Sequence, residues 1–323
     1  MPSREKIQTE IVKVKSAGQD IIRRNYLKKL HKINGNDRDI VIYFSSFGTA
    51  RPFPVPSQAL TIVQDDIQGF MASLHGLKSR KLDLILHSPG GSLEAADQIV
   101  QYLRSKYDHI RAIIPQNAMS AATMIACACD EIVMGRHSAI GPIDPQIMST
   151  IPVNGQLIQV SLPAHTILKD FEQAKTEVTA NPQLANLWVP KLLSVPLGFL
   201  NLCDQTIKLA QQKVEGWLSQ YMFKGQSPEK AKEIAEWLGK FDEHGTHGRP
   251  IGYDLAFSKG LKVKRLEENQ HFQEAVLSAF HATMATFQMT TCLKIIENQN
   301  GKGWYLVANM IPPMLQVNPP VQQ

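Results

Sequence analysis

The residue best placed to do chemistry is Ser120, in "NAMSAATMIA". It stands at the mouth of a run of small and apolar residues that continues to Cys129 and reads as a helix buried on nearly every side. A serine there holds its hydroxyl at the positive end of the helix dipole, and its small neighbours let a substrate chain come close. Taken alone, such a serine is an ordinary helix cap. A second stretch changes that balance. "LILHSPGGSLEAADQIVQYL", Leu84 to Leu103, joins an apolar strand, a Ser-Pro-Gly-Gly turn and an amphipathic helix. The turn exposes backbone N–H groups at the end of the strand. Those of Gly91 and of Ala121, the residue after the serine, could converge on one carbonyl oxygen as an oxyanion hole. The rival use of a glycine turn is to cradle phosphate. No GxGxxG or GxxxxGK[ST] pattern occurs at this junction to support it.

The elements that must position these groups follow from hydrophobic patterning. "DIVIYFS" (39–45), "KLDLIL" (81–86), "IRAIIP" and "EIVM" are β-branched or apolar runs of strand length. Between them lie helical patterns, such as the Leu93, Ala96, Ile99, Val100 and Leu103 face. Strands alternating with helices predict an α/β fold built on a parallel sheet. Ligands of such sheets collect above the carboxyl ends of the strands, where both the glycine turn and Ser120 would sit. From about Pro163 to Lys240 the pattern is helical. "RPIGYDLAFSKGLKVKRLE" (249–267) reads as a helix, a glycine turn and a strand returning to the sheet, and Phe272–Met289 as a final helix.

Composition excludes several classes. With 323 residues, 43% hydrophobic and 20% charged, the chain is that of a globular protein. The longest apolar window, "LLSVPLGFLNLC", is too short to span a bilayer and is interrupted by Pro196. "MPSREKIQTE" has no apolar core of a signal peptide, so a cytoplasmic location is expected. Cys127 and Cys129 lack a second pair at ligand spacing and read as buried thiols, so neither metal nor cofactor is expected. The surplus of positive charge within Met1–Leu30 equals that of the whole chain, +5. This basic arm is expected to dock as a helix on the protein itself or on a neighbour, with weak contact to an anionic surface as the alternative.

The SPGG turn, the serine of "IPQNAMSAATMIACACDEIVMGRHSAIGPIDPQ", and the later "HGRPI" and "GLKV" together resemble the Clp/crotonase-fold serine peptidases, the signal-peptide peptidase A group and its S49-like relatives. The chain looks most like the serine dehydrogenase proteinase family. The resemblance runs from about Asp39 to Gln146 and resumes at about Gly248–Val263. It implies a Clp/crotonase-like fold with an added helical segment, Ser120 as nucleophile, and Gly91 and Ala121 as oxyanion donors. It also implies a peptide or protein substrate and, with the apolar segment "LWVPKLLSVPLGFLNLC", a homo-oligomer built on trimeric units with Trp188, Leu192 and Phe199 near a contact. Domain boundaries expected on this basis are a basic arm over 1–35, a core over 36–162, a helical insertion over 163–245, a return to the core with a final helix over 246–310, and a loose tail over 311–323.

The base departs from the family pattern. Where Clp-type enzymes carry a histidine, this loop reads "GPIDPQI", with Asp144 in that neighbourhood. Signal-peptide peptidase A-type enzymes use a downstream lysine, for which Lys169 and then Lys175 are candidates; a lysine base must be desolvated. In the Clp pattern an aspartate occupies about the position of His247. A Ser120–His247–Asp144 triad with two roles exchanged is therefore the other candidate, and triads are defined by geometry rather than chain order. His87, beside SPGG, is a candidate substrate contact, and His244 makes an HxxH with His247. Two other readings compete: a crotonase-like acyl-CoA hydrolase or hydratase, which would need a carboxylate base, and a peptide-binding pseudo-peptidase. The expected activity is that of an ATP-independent serine hydrolase.

Overall fold

A computed structural model describes residues 4–14, 18–51, 53–153, 156–193 and 195–308; the expected loose tail, 311–323, lies outside them. In chain order the elements are α1 (Arg4–Val12), α2 (Gly18–Ile33), β1 (Asp39–Ser45), α3 (Asp66–Leu74), β2 (Lys81–His87), α4 (Leu93–Lys106), β3 (His109–Ile114), β4 (Asn117–Ala118), α5 (Ala121–Cys127), β5 (Glu131–Met134) and β6 (Ala139–Ile140). There follow β7 (Gln146–Val153), β8 (Gln156–Pro163), α6 (Ala164–Ala180), α7 (Ala185–Leu192), α8 (Phe199–Trp217), α9 (Pro228–Gly239), α10 (Phe241–His244), α11 (Tyr253–Ser258), β9 (Val263–Arg265), α12 (Gln270–Met289), β10 (Cys292–Asn298) and β11 (Gly303–Val307).

The main sheet has the order β11-β10-β1-β2-β3-β5-β9. From β1 to β9 all pairings are parallel, and β10 and β11 add an antiparallel edge. The strand runs are apolar on both faces because both are covered. Val41, Tyr43, Leu84, Leu86, Ala112 and Ile114 point into one core, with α3, α4, α5, α8 and α9. Their alternates Ile40, Ile42, Phe44, Ile85 and Ile113 meet α2 and α12 on the other. Helix α5 is buried along its whole length, as its sequence requires. All four cysteines are buried and free.

Two features were not expected. The β10–β11 hairpin closes the sheet edge where the sequence pattern ended with a helix. The β7–β8 hairpin, paired from Gln146–Pro163 to Val153–Gln156, stands between the core and the helical segment. The basic arm does dock on the protein itself: Arg23 is fully buried and donates to Glu297 on β10, and Lys6 pairs with Glu274 on α12. Among the described residues no helix is long and apolar enough to cross a membrane.

Candidate active site

Ser120 lies at the amino end of α5 with φ 53° and ψ −122°. It is one of two non-glycine residues with positive φ among those described. A side chain held there is strained by about 1–3 kcal/mol and persists only where the surroundings impose it. The surroundings are explicit. Ala122 N–H donates to Met119 O at 2.9 Å and Met124 N–H to Ser120 O at 3.1 Å, which start the helix immediately. Thr123 Oγ1 donates to Ala118 O at 2.8 Å and accepts Gly141 N–H at 2.9 Å, tying the serine turn to the loop after β6. Ser120 occupies the capping position, yet its side chain caps nothing. The ordinary-cap reading does not hold, and the partly exposed hydroxyl is left for other use.

The SPGG turn lies against this serine. Segment 88–91 runs between two neighbours. On one side Ser88 N–H donates to Asn117 O and Met119 N–H to Ser88 O. On the other, Ile62 N–H donates to Gly90 O at 2.7 Å and Ser92 N–H to Ile62 O at 2.9 Å. Glycine is required at Gly90, where φ is +95° and an added Cβ would stand 2.6 Å from Ser120 Cβ and 2.9 Å from Ala121 N. The peptide joining Gly90 to Gly91 is trans, so its N–H points opposite to its carbonyl. With the carbonyl turned to Ile62, Gly91 N–H points away from Ile62. Ala121 N–H, in the first turn of α5, has no acceptor within the helix. The glycine turn and Ala121 N–H therefore both lie beside the serine.

The other two residues arrive through strand register. β4 and β6 are parallel, with Ala118 beside Ile140. Ile140 in turn pairs antiparallel with Ile251. Following the chain from these partners leads to Ser120, Asp144 and His247 at one end of three adjacent segments. Asp144 lies four residues beyond Ile140 and His247 four residues before Ile251, so both chains leave this bridge toward the same end. His247 Nδ1 donates to Asp144 Oδ1 at 2.9 Å, while Asp144 Oδ2 accepts Gln146 Nε2–H at 2.8 Å. Asp144 is fully buried and His247 partly exposed. The pairing leaves Nε2 as the free nitrogen of the ring. Gln146, two residues beyond Asp144 in the "GPIDPQ" loop, has no sequence signature as an orienter and was missed.

Lysine is not brought to this cluster. Lys169 Nζ pairs with Asp242 at 3.1 Å with both side chains 70% exposed, and Lys175 is similarly open beside Glu172. Both ammonium groups stand in solvent, so the desolvation a lysine base requires is missing. His244 is buried and donates to Trp237 O at 2.8 Å, away from His247. His87 is also buried, stacked on Phe47 and edge-on to Phe280. Desolvation pushes its pKa down to about 4, so it is a neutral support under the turn, accepting Asn117 N–H, rather than an exposed contact.

The family model described as ClpP-like SDH-type serine proteinase matches residues 53–272. The chain belongs to that family. Two uncharacterised proteins of Methanocaldococcus jannaschii are similar to it. One is 29% identical over 211 residues, 65% of this chain and 63% of its own length; the other is 32% identical over 182 residues, 56% and 51% respectively. The chain thus spans between half and two thirds of the relatives it matches. A solved structure titled a membrane-bound stomatin-specific protease aligns at TM-score 0.34 and 17% identity, covering 63% of this chain and 74% of that one.

Proposed function

We propose that this member of the serine proteinase family is an ATP-independent peptidase whose machinery is Ser120, His247 and Asp144. Ser120 Oγ attacks the scissile carbonyl while His247 Nε2 takes its proton. The carbonyl oxygen becomes an oxyanion between Gly91 N–H and Ala121 N–H, whose fixed dipoles favour the charge as it develops. His247 then gives the proton to the leaving amine, and the acyl-enzyme is released by a water that the same histidine deprotonates. Asp144 holds the imidazole in one tautomer through Nδ1 and stabilises the imidazolium. The observation that supports this reading is the hydrogen bond of partly exposed His247 to fully buried Asp144, on segments bridged to the one that carries strained Ser120.

The acyl-CoA alternative is disfavoured because Asp144 is committed to His247 and Gln146 rather than free to act as a carboxylate base. The pseudo-peptidase reading is disfavoured because a histidine–carboxylate pair accompanies the serine. Labelling the full chain with a fluorophosphonate, followed by intact-mass spectrometry, tests the proposal. One adduct is expected, absent in Ser120→Ala and slowed at least 100-fold in His247→Ala. Unchanged labelling of His247→Ala would remove histidine from the mechanism.

A further inference from the structure

A fully buried ammonium lies behind the turn and is not used by the chemistry above. Lys294, on β10, donates through Nζ to both oxygens of Asp66, at 2.9 and 3.0 Å, and to the carbonyl of Thr61. Lys294 and Asp66 are each 0% exposed. Tyr43 OH also donates to Asp66, and burial together with that carboxylate holds the phenol well above its ordinary pKa, so it stays a donor. Asp66 Oδ2 further accepts Val63 N–H at 2.9 Å. The peptide groups on both sides of Ile62 are thereby held by one ion pair.

Hydrogen-bond direction gives the cluster a meaning beyond packing. Nζ–H of Lys294 donates to Thr61 C=O. The N–H of the same peptide, that of Ile62, donates to Gly90 C=O at 2.7 Å. The N–H of that next peptide is Gly91 N–H, which points away from Ile62 and which the peptidase reading makes an oxyanion donor. Two peptide dipoles are aligned in series, with the buried positive charge at one end and the oxyanion donor at the other. Hydrogen bonds chained in this way polarise one another by roughly 10–30% per bond. Ile62 also sits so close that a Cβ on Gly91 would meet its N and O at 2.4 Å, so the turn cannot shift away from the strap.

We propose that Lys294 is a positioning residue for the oxyanion hole, orienting and polarising Gly91 N–H through the Thr61–Ile62 and Gly90–Gly91 peptides. This deepens the peptidase reading and rests on it for its catalytic meaning. Removing Lys294 alone would strand Asp66 as an unpaired buried charge, so the test variant is the uncharged pair Lys294→Met/Asp66→Asn, which similar replacements of buried ion pairs show can fold. With p-nitrophenyl acetate as substrate, kcat is expected to fall about 10-fold with KM within about twofold, a fraction of the 100-fold or more that follows loss of a whole donor. The acid limb of the pH profile should be unmoved, because His247 is untouched.

A second readout needs no activity. Gly90-Gly91 is the single Gly-Gly pair in the sequence, so glycine labelled with 13C at the carbonyl and with 15N yields one correlated amide signal, that of Gly91. Its nitrogen should move upfield in the double variant. A folded double variant with kcat within twofold of the parent and an unmoved Gly91 signal would overturn the relay. A parent protein in which Ser120 takes no fluorophosphonate would instead overturn the peptidase reading, and a moved Gly91 signal would still report the polarised chain.

Discussion

The backbone at Ser120 makes a quantitative prediction that separates strain from chemistry. At φ 53° and ψ −122° any residue with a Cβ is disfavoured, whereas glycine is not. Ser120→Ala keeps the Cβ and removes a hydroxyl that caps nothing, so its stability should stay within about 0.5 kcal/mol of the parent. Ser120→Gly relieves about 2 kcal/mol of strain. Against that, the extra freedom of glycine in the unfolded chain costs about 0.5–1 kcal/mol. The net gain is about 1 kcal/mol, or about 2 °C in melting temperature for a chain of this length. Both variants should lose the fluorophosphonate adduct.

The assay is paired thermal unfolding of the two variants in one buffer, with urea midpoints as a check that the order does not depend on the method. Comparing glycine with alanine cancels the loss of the hydroxyl and isolates the backbone. If Ser120→Gly melts at or below Ser120→Ala, the serine is not strained and the surroundings do not impose its geometry. A serine held against its own stability by Met119, Thr123 and the Gly90 turn is expected where hydroxyl placement is needed for function.

Asp144→Asn should fold and leave His247 in the wrong tautomer, lowering p-nitrophenyl acetate turnover on the order of 1,000-fold or more; a loss under tenfold would remove Asp144 from the mechanism. Lys169→Met should label within about twofold of the parent, since its ammonium is solvated and paired with Asp242. His87 has its pKa lowered from 6.5 to about 4, so below pH 6.5 the unfolded chain binds the proton that the folded one refuses. Stability should therefore be intact above pH 6.5 and fall by about 3 kcal/mol on descending to pH 4, a component that should be missing in urea titrations of His87→Gln. Helix α7 buries none of its residues, and Leu187, Val189, Leu193 and Leu197 are exposed. We propose that a second copy of the chain covers this face, so light scattering should give an oligomer and the Leu193→Glu/Leu197→Glu variant a smaller mass.

Much of the fold could be read from strands written as continuous apolar, β-branched runs buried on both faces, and from the all-round apolar character of α5. The β10–β11 edge could not. "CLKIIEN" carries Lys294, Glu297 and Asn298 at buried positions, so it lacks the signature of a strand until their partners are known: Asp66 for Lys294, and Arg23 with Arg24 for Glu297. Charges that neutralise one another across 228 and 274 residues of chain leave no local trace. The same holds within the site. Ser120 and the two glycines announce themselves through small-residue and turn chemistry, which is local. Gln146, Ile62 and Lys294 act through contacts made only after folding, and their residue types are ordinary for their places.

The pairing of Asp144 with His247 joins two positions whose separation in the chain carries no signal of their meeting. Each residue lies four positions from the single antiparallel bridge of Ile140 and Ile251, both buried and hydrogen-bonded in both directions at 3.1 and 2.8 Å, and the two meet through their side chains. Positions related in this way share one small volume at the strand ends. Either can present an imidazole to it if the other presents a carboxylate. What the serine requires is a histidine with one nitrogen held by a buried carboxylate and the other free, and that requirement is indifferent to which strand supplies which group. Exchange is limited by burial: the carboxylate must have a second donor to stay satisfied, and here Gln146 supplies it from the same loop as Asp144. A doubly exchanged variant, Asp144→His/His247→Asp, would place the carboxylate on the opposite segment, away from the Gln146 Nε2–H that serves Asp144. It should therefore recover labelling above either single variant, yet remain below the parent. Recovery to the full parental rate would show that Gln146 is dispensable, and no recovery at all would show that the two positions are not equivalent across the register.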